Sequence, residues 1–553
     1  MQRVIPVSAL TALSLALAAA LPMSAQAASA SWAATRTLAT DNASAKMGSE
    51  LQAGTQVHIS VSLNLRNKAE LDALTSAIMS GKTSRTLSTE EMLARHAPSV
   101  EQAQAVADYL RSSGFGNVEI SKNRHLVSAD GSAASIKAAF KAELHHVDVD
   151  GRSAIGTVTP AMVPAHLAGI VSAVHGLDTT HTLNLYHKVA DAKVAAGGIV
   201  GHNPMDFSTI YDADGLPAAT KTTVAIIAAG DISQSLTDLS AFVTQNGLQP
   251  PVIEQVAAGP QSSDTAGVIE WDLDSQTALS TAGGAVQKMI FYVGKDVTAL
   301  TSVVEAFNRA AADNEAKVVN ASLGLCETGE LANGDETAID ASLEMGVAQG
   351  QTWTISSGDS GAYECTSKKV GASYPAVSPF ALAIGGTTLT TTGTTIYASE
   401  SAWSCGSQLG CLLLGGAGGG TSVTEAAPDW QTQALGPLTG RVIPDISFSA
   451  DPASGAILVV NGGNGTEQVG GTSLSAPMFM GFWARIQTRN NNTLTTPNAN
   501  LYKYSVTSRG TQYLHDVTTG SIGFPAGPGW DLATGFGSVD IGKVSALIDK
   551  LKK

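Results

Sequence analysis

Strand-like and helix-like segments alternate along the second part of this 553-residue chain. Short apolar runs typical of buried strands are separated by longer stretches in which apolar residues recur at helical spacing. The strand candidates are residues 222–228, 288–293, 317–323, 352–356, 381–384 and 456–460, and the helix candidates are residues 235–245, 269–280, 300–312, 336–348, 474–487 and 541–551. This alternation predicts an α/β domain in which helices flank a parallel sheet.

The first part of the chain has a different pattern, which predicts a small α+β domain. Its strand candidates are residues 57–63, 118–120 and 144–149, and its helix candidates are residues 99–113 and 133–140. Apolar and polar residues alternate over 57–63, which is typical of a half-buried strand. Residues 151–195 are only weakly patterned, so we interpret them as a connector. The small residues around 193–198 predict an accessible cleavage site there.

The charge distribution supports a boundary near residue 195. Residues 1–194 contain 16 Lys and Arg against 15 Asp and Glu, whereas residues 195–553 contain 16 against 32 and account for the net charge of −15. Nucleic acids and anionic membranes are bound by basic surfaces, which this acidic body lacks. We therefore expect neither a nucleic-acid partner nor a membrane partner.

The N-terminal residues have the pattern of a secretory signal peptide. Arg3 is followed by an apolar region over residues 4–21 and by a small-residue cleavage site, Ala25-Gln26-Ala27. No other segment of the sequence has the ~18 uninterrupted apolar residues that a membrane span needs. We therefore predict that residues 1–27 are removed and that the protein is secreted.

A glycine-rich turn leads into the helix candidate at 474–487. Its sequence is Val469-Gly470-Gly471-Thr472-Ser473, and Pro477 follows at a position that a helix tolerates in its first turn. A serine at such a helix start has an exposed hydroxyl and a positive dipole behind it, as a nucleophile needs. Ser473 is therefore a candidate nucleophile, although Thr472 or Ser473 could equally serve only as a helix cap.

A serine nucleophile needs a general base, and the two histidines of the second part are poorly placed for this role. His202 follows directly after the connector, and His515 lies beside a separate acidic loop. On one predicted helix, Glu270 and Asp274 are four residues apart and share a face, whereas Asp272 points away from it. Two close carboxylates cannot both ionise easily, so their pKa values separate. The alternative interpretation is a solvated acidic helix face.

Asp359 directly follows the strand candidate at 352–356, within Ser357-Gly358-Asp359. Sites in parallel sheets form at the carboxyl ends of strands, where both this motif and Ser473 are expected. A protonated aspartic acid in a cleft can donate a hydrogen bond to a developing oxyanion. A plain turn residue is the alternative.

Together, Glu270-Trp271-Asp272-Leu273-Asp274, Ser357-Gly358-Asp359 and Gly471-Thr472-Ser473 resemble the motifs of the sedolisin, or serine-carboxyl peptidase, family, closest to its pseudomonalisin type. The resemblance covers nearly the whole chain. It implies a subtilisin-like fold preceded by a ferredoxin-like propeptide domain. In that family pattern Ser473 is the nucleophile, Glu270 the base and Asp274 its orienting partner. Asp359 takes the place of the oxyanion donor.

The resemblance also implies how the precursor is organised. Residues 1–27 would be the signal peptide, residues 28–194 the propeptide domain with its connector, and residues 195–553 the peptidase domain. The substrates would be proteins or peptides. The propeptide would act as intramolecular inhibitor and folding aid of a self-processing zymogen, which we expect to be a monomer.

One structural Ca²⁺ is a further implication of the resemblance. The matching residues are Asp516, Val517, Gly527, Gly529 and Asp531. The chemistry agrees, because calcium prefers oxygen ligands, and two carboxylates with the carbonyls of a glycine-rich loop supply them.

Four cysteines in an exported protein permit three pairings. Cys326 and Cys365 each follow a strand candidate, and they would meet if those strands are neighbours. Cys405 and Cys411 would then close a short loop. We predict the pairs Cys326–Cys365 and Cys405–Cys411, both with structural roles.

Two other functions are compatible with parts of the sequence. Asp359-Ser360-Gly361 matches half of the pepsin-like signature, but an aspartic protease needs a second such motif in an all-β chain. A non-catalytic secreted protein with a protease-like fold is the other alternative, and the filled catalytic positions argue against it.

The predicted catalytic groups favour action in acid. A Glu base has an unperturbed pKa near ~4.3, and the Asp359 donor must be protonated, so both point to roughly pH 3–5. Acid would also protonate carboxylates of the peptidase domain and charge histidines of the first part. We therefore predict a precursor that is inactive at neutral pH and cuts itself near residues 193–198 on acidification.

Overall fold

The computed structural model describes residues 31–181, 183–190, 199–298, 300–328, 334–365, 370–507 and 512–551. The predicted signal peptide and the predicted cleavage site at 193–198 lie outside these residues. The strands of the first part are β1 Trp32–Ala34, β2 Ala45–Glu50, β3 Gln56–Leu63, β4 Gly116–Ile120, β5 Leu126–Ser132, β6 Leu144–Val149, β7 Arg152–Thr157, β8 Met162–Pro164, β9 Val171–His175, β10 Asn184–Leu185 and β11 Lys188–Val189. Its helices are α1 Lys68–Met79, α2 Thr89–Arg95, α3 Val100–Ser112 and α4 Ala133–Phe140.

The first part is built on a four-stranded antiparallel sheet with the order β4-β5-β3-β9. α3 lies between β3 and β4 in the chain, and α4 follows β5. A capping box between Ser99 and Gln102 starts α3, and its apolar residues join those of α4 in one core with Ile59 of β3. This connectivity is the ferredoxin-like split β-α-β arrangement, as predicted.

Two predictions about the first part are wrong in detail. Residues 151–195 are not a weakly patterned connector, because they include β7, β8 and β9, and β9 forms an edge of the sheet beside β3. These strands are short and rich in small residues, which obscures their alternation. The strand β3 is not half-buried, because all of its residues from 59 to 63 are buried. Its second face is covered by helices of the second part.

The second part contains the predicted alternation of strands and helices. Its strands are β12 Ala219–Ala229, β13 Ile253–Ala257, β14 Val286–Gly294, β15 Val318–Ala321, β16 Leu323–Cys326, β17 Thr352–Ser356, β18 Ser373–Tyr374, β19 Leu382–Thr392, β20 Ile396–Ala402, β21 Gly420–Thr421, β22 Val442–Ile443, β23 Ile446–Ser449, β24 Ala456–Val460, β25 Gly465–Gly470, β26 Leu514–His515 and β27 Ser538–Val539. Its α-helices are α5 Phe207–Ile210, α6 Ser233–Gln245, α7 Val268–Thr281, α8 Thr301–Asp313, α9 Asp335–Ala348, α10 Gln408–Leu414, α11 Asp429–Leu435, α12 Thr472–Arg489, α13 Asn498–Ser505 and α14 Ile541–Leu551.

An eight-stranded sheet with the order β13-β14-β12-β15-β17-β19-β20 forms the centre of the second part, and β23 also pairs with β19. The pairs are parallel except β19–β20. α7 packs against α12, which lies along the central strands, and α8 and α9 form another helix pair on the sheet. The predicted α/β fold with a largely parallel sheet is therefore confirmed.

One predicted strand does not belong to this sheet. Residues 456–460 form β24, which pairs antiparallel with β25 through a tight turn. Gly462 and Gly463 both have positive φ in that turn, which glycine adopts without strain. The hairpin ends directly before Ser473, so it positions the start of α12.

The two parts contact each other through the second face of β3 and its neighbour β9. Nε2 of His58 lies 3.3 Å from Oε1 of Glu305 on α8. Nδ1 of His175 lies 2.5 Å from Oδ1 of Asp335 at the start of α9. Histidines of the first part are thus packed on carboxylates of the second.

Both predicted disulfides, Cys326–Cys365 and Cys405–Cys411, are confirmed. The first joins the segments that follow β15 and β17, and these two strands are parallel neighbours, as the prediction required. Within the described ranges, no helix is both long enough and apolar enough to cross a membrane.

Candidate active site

Ser473 is the second residue of α12, which begins at Thr472 directly after β25. Gly471 has a φ of 112°, and a Cβ at this position would lie 2.1 Å from the carbonyl oxygen of Tyr186, so the turn requires glycine. The helix starts two residues earlier than predicted, and Pro477 therefore lies in its second turn rather than its first. Because proline has no N–H, the Ser473 carbonyl lacks its usual helical donor.

The three acidic residues of α7 are fully buried, so the interpretation as a solvated helix face is wrong. Glu270 and Asp274 lie close enough for the charge of Glu270, after burial itself, to raise the pKa of Asp274 well above its usual range. Asp272 points towards Asp238 of α6, and burial together with that charge raises the pKa of Asp272 to about 8. Glu270 and Asp274 thus share one side, and Asp272 lies on another, as predicted.

Asp274 is connected to the serine through Ser322. The Oγ of Ser322 donates to Oδ1 of Asp274 at 2.5 Å, and Nδ2 of Asn320 donates to the same Ser322 Oγ at 2.9 Å. The hydroxyl of Ser473 lies 3.4 Å from the carbonyl oxygen of Ser322. Sequence analysis did not identify Asn320 or Ser322, because they lie in a plain apolar strand pattern with no motif of their own.

Asp359 is buried and faces the start of α12. Its Oδ1 accepts hydrogen bonds from the backbone N–H of Thr472 at 2.8 Å and from Oγ1 of Thr472 at 2.9 Å. Its Oδ2 has no hydrogen-bond partner among the described residues. Burial raises the pKa of Asp359 to about 6, although the bonds from Thr472 oppose this. The carboxyl group is therefore protonated in mildly acidic solution and can then donate through the free oxygen.

An extended segment of the first part, residues 183–190, crosses this site. Within it β10 pairs antiparallel with β16, and β11 pairs antiparallel with β25. The backbone N–H of Ser473 donates to the carbonyl oxygen of Tyr186 at 3.0 Å. Nδ1 of the next residue, His187, lies 2.8 Å from Oε2 of Glu270. Adjacent residues of one segment thus contact both the candidate nucleophile and the candidate base.

Sequence analysis did not identify Tyr186 or His187 as site residues. The segment pairs with strands more than a hundred residues away, and nothing in its own pattern indicates them. Burial alone would lower the pKa of His187. The hydrogen bond to Glu270 and the charge of Glu270 outweigh burial and raise this pKa above its ordinary value. The resulting ion pair occupies one oxygen of Glu270.

The residues expected to hold calcium lie on one loop that precedes β27. Oδ2 of Asp531 accepts from the N–H of Gly527 at 2.8 Å, and Oδ2 of Asp516 accepts from the N–H of Gly529 at 3.0 Å. Both carboxylates therefore turn towards the same glycine-rich loop, and their donor set is all oxygen, which fits Ca²⁺. No cluster of three or more His, Cys, Asp or Glu side chains in the described part of the chain could hold a metal, so such a site needs backbone carbonyls as well.

Two family models match the chain. Residues 43–180 match the Pro-kumamolisin activation domain, and residues 255–537 match the Subtilase family. The first match covers the ferredoxin-like part, and the second covers the candidate site and the parallel sheet except β12 and the first two residues of β13.

Curated relatives and a solved structure are similar over long stretches. Sedolisin of Pseudomonas sp. (strain 101) is 41% identical over 98% of this chain and 96% of its own length. Xanthomonalisin of Xanthomonas sp. (strain T-22) is 37% identical over 90% of this chain and 66% of its own length. The structure of Pseudomonas sedolisin, a serine-carboxyl proteinase complexed with two molecules of pseudo-iodotyrostatin, aligns with a TM-score of 0.61 at 42% identity and covers 64% of this chain and 99% of that one.

Proposed function

Because this chain belongs to the sedolisin family of serine-carboxyl peptidases, we propose that Ser473 is its nucleophile and Glu270 its general base. The protein is a peptidase zymogen with an N-terminal activation domain. One observation carries the assignment. The Ser473 N–H donates a hydrogen bond to the Tyr186 carbonyl oxygen, which lies beside the free Oδ2 of Asp359. These two oxygens are close together, because a Cβ at Gly471 would lie 2.1 Å from the Tyr186 oxygen and 2.7 Å from Oδ2 of Asp359.

The chemistry follows from these positions. Ser473 Oγ attacks the carbonyl carbon and passes its proton to Glu270. The carbonyl oxygen becomes negatively charged and is stabilised by the Ser473 N–H and by protonated Asp359. Glu270 then gives the proton to the leaving nitrogen, and water hydrolyses the acyl-serine by the reverse roles. Asp274, kept protonated by burial and by the charge of Glu270, lies close to Glu270 and orients it.

Acidic solution is required mainly by Asp359. Its protonated form, which donates to the oxyanion, is lost as the pH rises through about 6. Glu270 must be ionised to accept the serine proton, which limits activity at the acid end. We therefore propose an activity maximum below pH 6 and a precursor that is latent at neutral pH.

The cleft accepts a chain that continues on both sides of the reacting carbonyl. β10 pairs with β16 before Tyr186, and β11 pairs with β25 after it. An exopeptidase needs one side of the site closed, whereas this arrangement suits an endopeptidase. We propose the division into a propeptide region, 28–194, and a peptidase domain, 195–553, and export directed by residues 1–27.

We further propose that one structural Ca²⁺ is held by Asp516 and Asp531 together with the backbone carbonyls of Val517, Gly527 and Gly529. The ion would link the loop before β27 to the β26 region and would take no part in the chemical steps. The ion would instead stabilise the native state, because it would bind the native state and not the unfolded chain.

Substitution of the catalytic residues tests the proposal. Ser473→Ala, Glu270→Ala and Asp274→Ala should each lower kcat/KM by about 10³-fold or more, because such groups act as a unit. Asp272→Asn, on the same helix but facing Asp238, is the matched control and should lower it less than tenfold. Each variant is processed in trans by immobilised wild-type enzyme and assayed on a peptide at pH 4. Equal losses for Asp272→Asn and Glu270→Ala would contradict the assignment.

A further inference from the structure

Residues 183–190 occupy the cleft with the pairing of a bound polypeptide. Asn184 and Leu185 are opposite Gly324 and Leu323 on β16. Lys188 and Val189 are opposite Gly470 and Val469 on β25. The two residues left between these short ladders are Tyr186 and His187. The bond that joins them is therefore the one presented at the centre of the site.

The orientation of that bond matches the needs of the reaction. The Tyr186 carbonyl oxygen accepts from the Ser473 N–H at 3.0 Å, so it lies where the oxyanion would form. His187, whose nitrogen would leave, is on the side of Glu270, with 2.8 Å between Nδ1 and Oε2. The base that must protonate the leaving nitrogen thus lies next to the residue that leaves.

The Tyr186 side chain fills a closed pocket. It is only 2% exposed, and its hydroxyl lies 2.6 Å from Oγ of Ser373 on β18. A Cβ at Gly324 would lie 2.4 Å from the carbonyl oxygen of Tyr374 and 3.0 Å from this hydroxyl, so this side of the pocket needs glycine. The buried carboxyl group of Glu364 is close enough for its charge to act on the Tyr186 hydroxyl. The pocket therefore holds a phenol by both shape and hydrogen bonding.

We propose that Tyr186–His187 is the first peptide bond that the precursor cuts, before any cut at residues 193–198. The inference rests on the proposed function of Ser473 and Glu270. Ser473 Oγ bonds to the Tyr186 carbonyl carbon, the carbon–nitrogen bond breaks, and the His187 nitrogen receives the proton that Glu270 took from Ser473. Water then supplies the hydroxyl of the new Tyr186 carboxyl group and restores the serine proton.

Early products of acidification test the order of the cuts. The full-length precursor is brought from pH 7 to pH 4, quenched after short times, and analysed by intact mass and N-terminal sequencing. The first new N-terminus should be His187, and termini within 193–198 should follow. A terminus within 193–198 that appears before His187 would overturn the inference.

Substitutions at the bond sharpen the test. His187→Pro removes the N–H of the leaving residue and should slow the first cut by at least tenfold, whereas Lys193→Pro should leave its rate unchanged. Tyr186→Gly, which empties the pocket, should slow it similarly. Tyr109→Phe, which removes another propeptide tyrosine hydroxyl, hydrogen-bonded to the Ala139 carbonyl, is the control and should not.

A peptide keeps the test independent of precursor folding. Mature enzyme should cut the synthetic peptide of residues 183–190 between its Tyr and His, and a cut at any other bond would count against the inference. If mature wild-type enzyme cuts denatured proteins but not this bond, only the inference fails. If wild-type and Ser473→Ala preparations are equally inactive on every substrate, the proposed function itself fails.

Discussion

In the proposed mechanism, Asp359 is the residue whose charge state most directly limits the reaction. Its pKa of about 6, raised by burial, means that the donor to the oxyanion disappears as the solution approaches neutrality. An asparagine of the same shape would keep one oxygen for Thr472 and would offer an N–H at every pH. This substitution therefore distinguishes the effect of the shape of the oxyanion site from the effect of its protonation.

Asp359→Asn should keep kcat/KM at pH 4 within about tenfold of wild type and should remove the loss of activity near pH 6. Asp359→Ala, which has no donor, should lower kcat/KM by about 10²–10³-fold at pH 4. The measurement is a pH profile of kcat/KM for the mature enzymes. A profile for Asp359→Asn that still falls with the wild-type midpoint would assign that titration to another group.

The sequence was informative for residues that lie within motifs and uninformative for residues that act through distant contacts. Glu270 and Asp274 were placed together correctly because a helix fixes the positions of residues four apart. Asn320 and Ser322 could not be predicted, because their partner is on another element. His187 was missed for the same reason, since its contact with Glu270 depends on how the two parts dock.

Among the elements, the six helices predicted in the second part and the strands β12, β14 and β17 agree with the structure within a few residues. β13, β20 and β23 of the sheet were not predicted, and β19 continues to residue 392. The predicted bounds of α7, α8, α9 and α14 agree closely with the structure, and α8 and α14 have strong periodicity. β24 was assigned to the wrong sheet because an apolar run shows burial but does not identify its pairing partner. β9 escaped notice because a five-residue strand between small residues has too little pattern.

The loop before β27 is the element whose stability should depend on metal. Removal of calcium by a chelator should lower the Tm of the mature enzyme and speed its autolysis, because an ion bound only to the native state stabilises it. Asp531→Ala should have the same effect and should be insensitive to chelator. Asp214→Ala, at an exposed site elsewhere, is the control. An unchanged Tm in strong chelator would exclude a structural calcium.

At the scale of the whole molecule, the two parts respond to pH in opposite directions. Burial raises the pKa of Glu364 to about 8 and that of Glu336 to about 7 in the peptidase part. At the boundary with the first part, burial lowers the pKa of His125 to about 4. Acid therefore suits the buried carboxyl groups of the peptidase part and disfavours the buried neutral form of His125 at the boundary.

The peptidase part of the precursor should be most stable in acid. The folded-state pKa of each buried carboxyl group lies above its unfolded value, so its stabilising effect is full below about pH 4 and is lost as the pH rises through about 7 to 8. We expect the Tm to fall by about 5 °C or more between pH 5 and pH 8. Thermal unfolding of an unprocessed precursor that carries Ser473→Ala avoids autolysis. A rising Tm over this range would contradict the expectation.

The propeptide contact should loosen over a different range. His125 binds protons in the unfolded state near pH 6.5 but resists them when buried, so its contribution is lost as the pH falls from about 6.5 towards 4. In a Ser473→Ala precursor, amide exchange in β3 and β9 should speed up between pH 7 and pH 4 after correction for intrinsic rates, while β12 and β14 stay protected. His125→Gln should need a lower pH for the same change. Equal loss of protection in all four strands would indicate global unfolding instead.

The segment that crosses the cleft also sets the kinetic order of maturation. A substrate on the same chain as its enzyme is present at an effective concentration of about millimolar, however dilute the protein is. Dilution therefore cannot remove residues 183–190 from the cleft, and other proteins must compete with this segment for the active site. The first cut is unimolecular and proceeds at the same rate in every molecule, whereas trimming by a second molecule speeds up with concentration. Each precursor molecule would thus make its first cut independently of the others, whereas the rate of the later trimming would depend on the protein concentration.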